Sequence, residues 1–258
     1  MGSLISKRSV VVTSLLAVLA AVVVWQFASA IYNPQLLPSP RRVASGTTEL
    51  VKSGLLWDSI LISLLRVLKG WMLGSAIAIP LGLLAGTSKH ARAALDPFIH
   101  FFRFVPALAL TSLFILWFGI GEGSKVNLIA YAVAFLVLVT TAAGASSINP
   151  DKLNGAETLG ANRVDLFFRI ILPATFPSIF VGMRLALASA FLVIVAAEAI
   201  AAQEGIGFMI WNARTFFRTD YMFVGIFAFG ILGFASDRLW KLLGRTLFAR
   251  YLTELGDY

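Results

Sequence analysis

The sequence predicts an all-α, polytopic membrane protein with about six transmembrane helices. Two observations carry that prediction. Of 258 residues, 59% are hydrophobic and only 13% charged, with a mean hydropathy of +0.86. A water-soluble domain of this length needs more charge to cover its surface. The apolar residues also stand in blocks of about 20, the length that crosses the hydrocarbon as a helix. Lipid offers the backbone no hydrogen-bond partners, so blocks of this kind are helical. The net charge of +8 does not point to nucleic acid, because the basic residues collect in short connections between the blocks. The absence of cysteine excludes a disulfide framework, a thiolate metal site and a catalytic thiol. His90 and His100 are the only histidines, too few for a histidine-rich metal centre.

The first block covers roughly 9–31 and follows Lys7 and Arg8. It opens like a signal peptide, and Ala28-Ser29-Ala30 resembles a cleavage site. The apolar run is longer than the usual 7–15 residues of a signal, so a retained first helix is expected. Asn33 to Pro40 is too rich in proline to continue it. The stretch 43–65 reads as one or two short amphipathic helices on the outer surface. Further spans are expected at roughly 67–86, 99–118, 126–147, 178–202 and 221–240. With both termini inside, thirteen Lys and Arg fall on the inner side and eight outside, which favours a cytoplasmic N- and C-terminus. Arg66 and Lys69 are expected to snorkel to the outer interface. The whole chain reads as one transmembrane domain, without internal repeats of the kind that build many secondary carriers.

In the second span Gly70, Gly74, Ala78, Gly82 and Gly86 recur every fourth residue. Small side chains along one face let membrane helices approach closely, so a tight helix–helix seam is expected there. Pro80 is expected to kink this helix. The fifth span carries a shorter version in Gly182, Ala186 and Ala190.

The longest inner connection, 149–177, differs from the others. Asn149-Pro150-Asp151 suits a helix start, with proline in the first turn and an acid facing the helix dipole. Leu153, Ala156 and Leu159 give this short helix an apolar side, and Gly160 ends it. A second amphipathic stretch follows, with Leu166, Phe167, Ile170 and Ile171 apolar, and Pro173 and Pro177 close it. An exposed helix–turn–helix with an apolar face marks a partner surface.

At this loop the chain resembles a known family. Ala156-Glu157-Thr158-Leu159-Gly160-Ala161, followed by Ile170-Ile171-Leu172-Pro173 and Pro177, is similar to the "EAA" loop of type I ABC importer permeases. The chain departs from that pattern at Asn154-Gly155-Ala156, where the family often has Glu-Ala-Ala. The resemblance extends over about 60–243. Trp117-Phe118-Gly119-Ile120-Gly121, Ser124-Lys125, Gly205-Ile206-Gly207 and Arg218-Thr219-Asp220 look like the branch importing sulfonates, taurine, nitrate and similar small anions. Arg103-Phe104-Val105-Pro106 departs from that branch, which usually has a second proline.

The resemblance implies a type I ABC importer permease fold in a bacterial inner membrane. It also implies partners: a second copy of the chain, two cytoplasmic ATPase subunits and an extracytoplasmic substrate-binding protein. Asn154, Gly155, Ala156, Glu157, Leu159, Gly160, Leu172 and Pro173 would then couple the chain to the ATPase. The chain has no Gly-Lys pair, so the phosphate-cradling loop of an ATPase is absent. It is therefore not expected to be an enzyme; ATP and its magnesium would be bound by the partner. A secondary carrier or channel without an ATPase is the alternative.

Candidate residues of a translocation path follow from polarity within the spans. Glu198 is the only acid deep in a span, and intramembrane carboxylates are functional candidates. A carboxylate repels anions, which favours a structural partnership with an arginine or a helix-end donor. Arg103 and Arg184 are either snorkelling anchors or attractors of anions. Thr111, Ser112 and Asn127 either line a polar route or bond to their own helices. The outer loop 203–220, with Phe208, Trp211, Phe216 and Phe217, reads as an interfacial aromatic belt, with a gate segment or binding-protein contact as the other reading.

Overall fold

The computed structural model describes residues 7–247, so Arg250, counted above on the inner side, lies outside the described residues. They form an all-helical molecule in which five helices are long and apolar enough to cross a membrane and a bent pair makes a sixth crossing. The first span is α1 (Lys7–Ile31). A short helix, α2 (Pro40–Lys52), lies at the end of the bundle called outer after the side expected from the charge bias; it starts at Ser39, whose hydroxyl oxygen accepts the Arg42 N–H. Then α3 (Leu55–Thr87) runs unbroken for 33 residues through Pro80. Residues 55–65 are therefore the outer end of the second span and not a separate surface helix; only 40–52 forms one.

The expected span at 99–118 is broken. Helix α4 (Lys89–Phe102) and the 107–118 segment, a 3-10 turn followed by α5 (Thr111–Phe118), meet at 85°. Pro106 explains the break, since the residue before a proline is pushed out of helical geometry. The Tyr131 hydroxyl donates to the Phe102 carbonyl at the break, at 2.9 Å, and the Val105 N–H donates to the same oxygen at 3.0 Å.

The core is built from α3, α6 (Glu122–Ser146) and α9 (Leu172–Ala201). Val67, Ala78, Ile129, Val133, Val137, Ala186, Ala190 and Ile194 are buried between them. The small-residue face of α3 packs on α6. A Cβ on Gly74 would stand 2.5 Å from the Ala130 carbonyl oxygen, and one on Gly82 2.7 Å from the Thr141 Cβ. Gly70 meets Ile129 and Gly86 meets Ala145 in the same way, while Ala78 is fully buried. Contacts that advance together along both helices mean that α3 and α6 run parallel. In the other direction runs α9: Gly182 packs on Thr140, whereas Glu198 reaches Arg66. The last helix, α11 (Thr219–Leu247), starts beside Gly46 of α2 and ends beside Phe180 of α9. Trp240 stacks on Phe180 and meets Trp71 edge-on, each at 4.9 Å between centroids, joining α11 to α9 and α3.

Helix α1 is the outlier. Trp25, near its outer end, stacks on Phe223 at 5.6 Å and donates to the Pro38 carbonyl at 3.0 Å. Most of its other apolar side chains are exposed, as suits a helix facing lipid. The inner ends of α1 and α11 lie on the same side as the 149–162 connection.

Candidate functional site

Two regions carry chemistry, one at each end of the bundle. At the inner end, α7 (Pro150–Thr158) follows α6 directly. The Asn149 side-chain oxygen accepts the Asp151 N–H at 2.8 Å, and Asp151 in the first turn meets the positive end of the helix dipole. The C-terminus closes by two reciprocal bonds, Ala161 N–H to Ala156 carbonyl at 3.0 Å and Gly160 N–H to Glu157 carbonyl at 2.9 Å. That closure needs a left-handed residue, and Gly160 supplies it at φ +88°. Asn162 then caps α8 (Arg163–Leu166) by accepting the Val164 and Asp165 N–H groups, both at 2.9 Å.

Helix α7 stands off the body. Leu159 is 89% exposed, and a Cβ on Gly155 or Gly160 would meet nothing within 4 Å. Asn154, Glu157 and Thr158 are exposed, whereas Leu153 and Ala156 are half-buried. The apolar side is thus divided: Leu153 and Ala156 turn inward, and Leu159 projects from the tip. Leu172 and Pro173 are half-buried at the root of α9. Pro173 and Pro177 do not end a helix before the fifth span, as their sequence position suggests. A π-helical turn over Phe167–Ile171 leads straight into α9. The wider turn displaces the Arg169 carbonyl that the Pro173 ring would strike, while Pro177 stands inside α9 without ending it.

At the outer end, charged groups missed as a set by sequence reading converge on Arg66. Its Nη1 donates to Glu198 Oε1 at 2.8 Å and to the Glu204 carbonyl at 2.7 Å. Its Nε and Nη2 form a fork on the Glu122 carboxylate at 2.7 and 2.6 Å. Arg66 does not snorkel; its side chain is 4% exposed, against 57% for Glu122. Glu198, fully buried, also accepts from Ser63 Oγ at 2.8 Å and from the Gly207 N–H at 2.8 Å. Ser63 Oγ in turn accepts the Ile206 N–H at 2.9 Å. Those two backbone donors open α10 (Ile206–Thr215), a helix within the outer segment read from sequence as an aromatic loop. The Lys125 ammonium is buried, 3.6 Å from Glu122, and donates to the Ile120 and Gly121 carbonyls. Only glycine fits beside Glu198 at 205 and 207: Gly205 has φ +109°, and a Cβ on Gly207 would lie 2.5 Å from the Val195 carbonyl.

The other polar candidates are scattered. Thr111 is buried and donates to the Leu108 carbonyl, and Asn127 donates to Gly123, both within their own segments. Ser112 is exposed. Arg103 is exposed and lies 4.6 Å over the Phe104 ring. Arg184 is no snorkelling anchor: it forms a two-point ion pair with Asp237 of α11. Close to the outer network, Arg218 bridges Glu49 and Asp220, and Tyr221 donates to Glu49 at 2.7 Å. These bonds from Arg218 and Tyr221 hold the Glu49 carboxyl below its ordinary range.

A long, buried three-helix core, a short helix projecting from its inner end and a broken crossing define a polytopic helical membrane protein. The family described as the binding-protein-dependent transport system inner membrane component matches residues 78–248, and the chain belongs to it. A Brucella melitensis protein, named as an ABC transporter permease, is 40% identical over 212 residues, 82% of this chain and 86% of its own. SsuC of Bacillus subtilis, named for aliphatic sulfonate transport, is 36% identical over 88% of this chain and 83% of its own. TauC of Escherichia coli, named for taurine transport, is 34% identical over 83% of this chain and 80% of its own. A chain of the MetNI methionine ABC transporter in an inward-facing conformation shares the fold. Its TM-score is 0.61 at 15% identity, over 73% of this chain and 96% of that one. The protein is a membrane-spanning permease component of an ABC importer.

Proposed function

We propose that two copies of this chain form a single pathway for a small organic or inorganic oxyanion, a sulfonate, taurine or nitrate. Two ATPase subunits bind ATP and its magnesium on the inner side, and a soluble binding protein delivers the anion outside. The α7 tips, with Asn154, Gly155, Glu157, Leu159 and Gly160, seat in the ATPases. Closure of the ATPases on ATP draws the two α7 helices together and moves each core as a rigid body. The observation that carries this reading is α7 itself, held off the body with Leu159 89% exposed. An apolar side chain so exposed beyond the lipid calls for a protein groove. The oxyanion class is supported by the names of the sulfonate and taurine relatives.

Ala156→Glu and Gly160→Val test the coupling. The first puts charge at the half-buried root of α7; the second puts a branched side chain at φ +88°, where a Cβ is strained. Both proteins should insert and dimerise yet bind the ATPase weakly, or hydrolyse ATP without import, in proteoliposomes. Normal ATP-driven uptake by both would refute the assignment.

A further inference from the structure

The two carboxylates on Arg66 are held very differently. Glu198 is fixed from three sides, by Arg66, Ser63 and the Gly207 N–H, and is fully buried. Glu122 is the first residue of α6, and its side chain is 57% exposed. Its recorded partners are the two cations, Arg66 and, farther off, Lys125. It can therefore swing into water by side-chain rotation alone. That would leave the Nε–Nη2 edge of a buried guanidinium without its acceptor. Arg66 and Lys125 would then face the single remaining charge of Glu198, an excess of one positive charge. A guanidinium edge of this kind is shaped for two oxygens of one planar or tetrahedral anion.

The position suits a point of entry. From Val67 to the inner end of α3 at Thr87 the helix rises about 30 Å, one hydrocarbon thickness. Arg66 thus lies one hydrocarbon thickness from the inner end of α3, at the end of the bundle where α10 begins, and the Glu122 side chain is 57% exposed there.

We propose that Glu122 is a tethered stand-in for the transported oxyanion, and that the arriving anion takes its place on the Nε–Nη2 fork of Arg66. This rests on the oxyanion reading above. In the resting protein Glu122 keeps the fork neutralised and excludes anions. Exchange of one acceptor for another leaves Arg66 paired throughout, so the buried charge is never exposed to lipid alone. Glu198 stays in place during the exchange and keeps Arg66 and the start of α10 in register.

The test is equilibrium binding of potassium ethanesulfonate and potassium nitrate to the full chain in lipid nanodiscs, with uncharged dimethyl sulfone as the shape control. Removing the competing carboxylate in Glu122→Gln or Glu122→Ala should tighten binding of either anion by about tenfold or more, since a charge-assisted acceptor no longer holds the fork. Dimethyl sulfone should gain nothing. No gain in either variant, or an equal gain for the sulfone, overturns the proposal. Failure of both variants to reach the membrane also overturns it, because a carboxylate that the fold cannot spare cannot leave the fork in each cycle. ATP-driven uptake of the same anions by the wild-type complex is measured beside it. Lack of uptake with a persistent gain in the variants would refute the oxyanion importer and leave the anion fork standing.

Discussion

Glu198 shows what one residue does when its surroundings leave no water. Its carboxylate joins α3, through Arg66 and Ser63, to the first turn of α10 through the Gly207 N–H. Removing one partner of a buried pair costs about 3–5 kcal/mol, because the other charge is left uncompensated. Glu198→Ala should therefore lower the thermal stability of the detergent-purified protein severely, and Glu198→Gln, whose single amide oxygen can still accept from both Ser63 and Gly207, should cost less. Equal stability of both variants and wild type would mean that Glu122 alone satisfies Arg66. Sequence identified Glu198 as an acid within a span and favoured an arginine or a helix-end donor as its partner; the structure supplies one of each, Arg66 and the Gly207 N–H. Sequence did not identify which arginine. Arg66 lies 132 residues away, and a position near a helix end looks the same whether the side chain turns outward or inward. Glu122 and Lys125 were hidden for a related reason: both fall in a short connection between two apolar blocks, where charges are ordinary. Their joint appearance just before a long apolar block was the signal that could have found them.

Among the elements, α3 and α6 form the part most legible from sequence. A four-residue recurrence of small side chains is a statement about one helix face, and it leaves few options for what that face does. Structure adds the direction and the tightness. Alanine is already too large at Gly74 and Gly82, where a Cβ would lie 2.5 and 2.7 Å from α6 atoms. Leucine at either site should cost at least about 3 kcal/mol, the upper end of ordinary overpacking, and should abolish recovery of folded protein by size-exclusion chromatography. Gly230→Leu is the control, because a Cβ there would meet nothing within 4 Å. Comparable recovery of all three variants would remove the seam from the account. The less legible elements are those governed by backbone exceptions. Pro106 breaks a crossing that hydropathy counts as continuous, whereas Pro173 follows a π-helical turn and Pro177 stands inside α9 without ending it. Hydropathy averages over about 20 residues and cannot distinguish these outcomes. Helix α10 was hidden too, since its ten residues mix aromatic and polar side chains with no long apolar face.

For the whole molecule, the chain direction of each span sets the topology. Six crossings place the described ends of α1 and α11 on the side of α7, opposite α2 and α10. The charge bias in the sequence favours the α7 side as the cytoplasmic one, and that orientation is the prediction to test. The chain has no cysteine, so single cysteines report cleanly. In intact cells an impermeant maleimide should label a cysteine at Asn212, exposed on α10, and should reach one at Asn154 only after permeabilisation. The reverse pattern would invert the protein in the membrane and exclude α7 as a cytoplasmic contact.

The parallel course of α3 and α6 also has a consequence for biosynthesis. Parallel neighbours cannot form as a hairpin; another crossing must be made between them. The inner end of α3 is residue 87 and that of α6 is residue 146, so the ribosome adds about 60 residues before the seam can close. At about 5–20 residues per second, the glycine face of α3 waits several seconds against lipid. Arg66 waits longer still, until Glu198 has been made. Until the seam closes and brings Glu122 beside it, the arginine has only water and headgroups to satisfy it. The snorkelling posture inferred from sequence, wrong for the finished fold, is the one that physics demands of the nascent chain. Folding then draws this side chain inward as its carboxylates arrive, so the order of synthesis becomes the order in which the outer end is sealed.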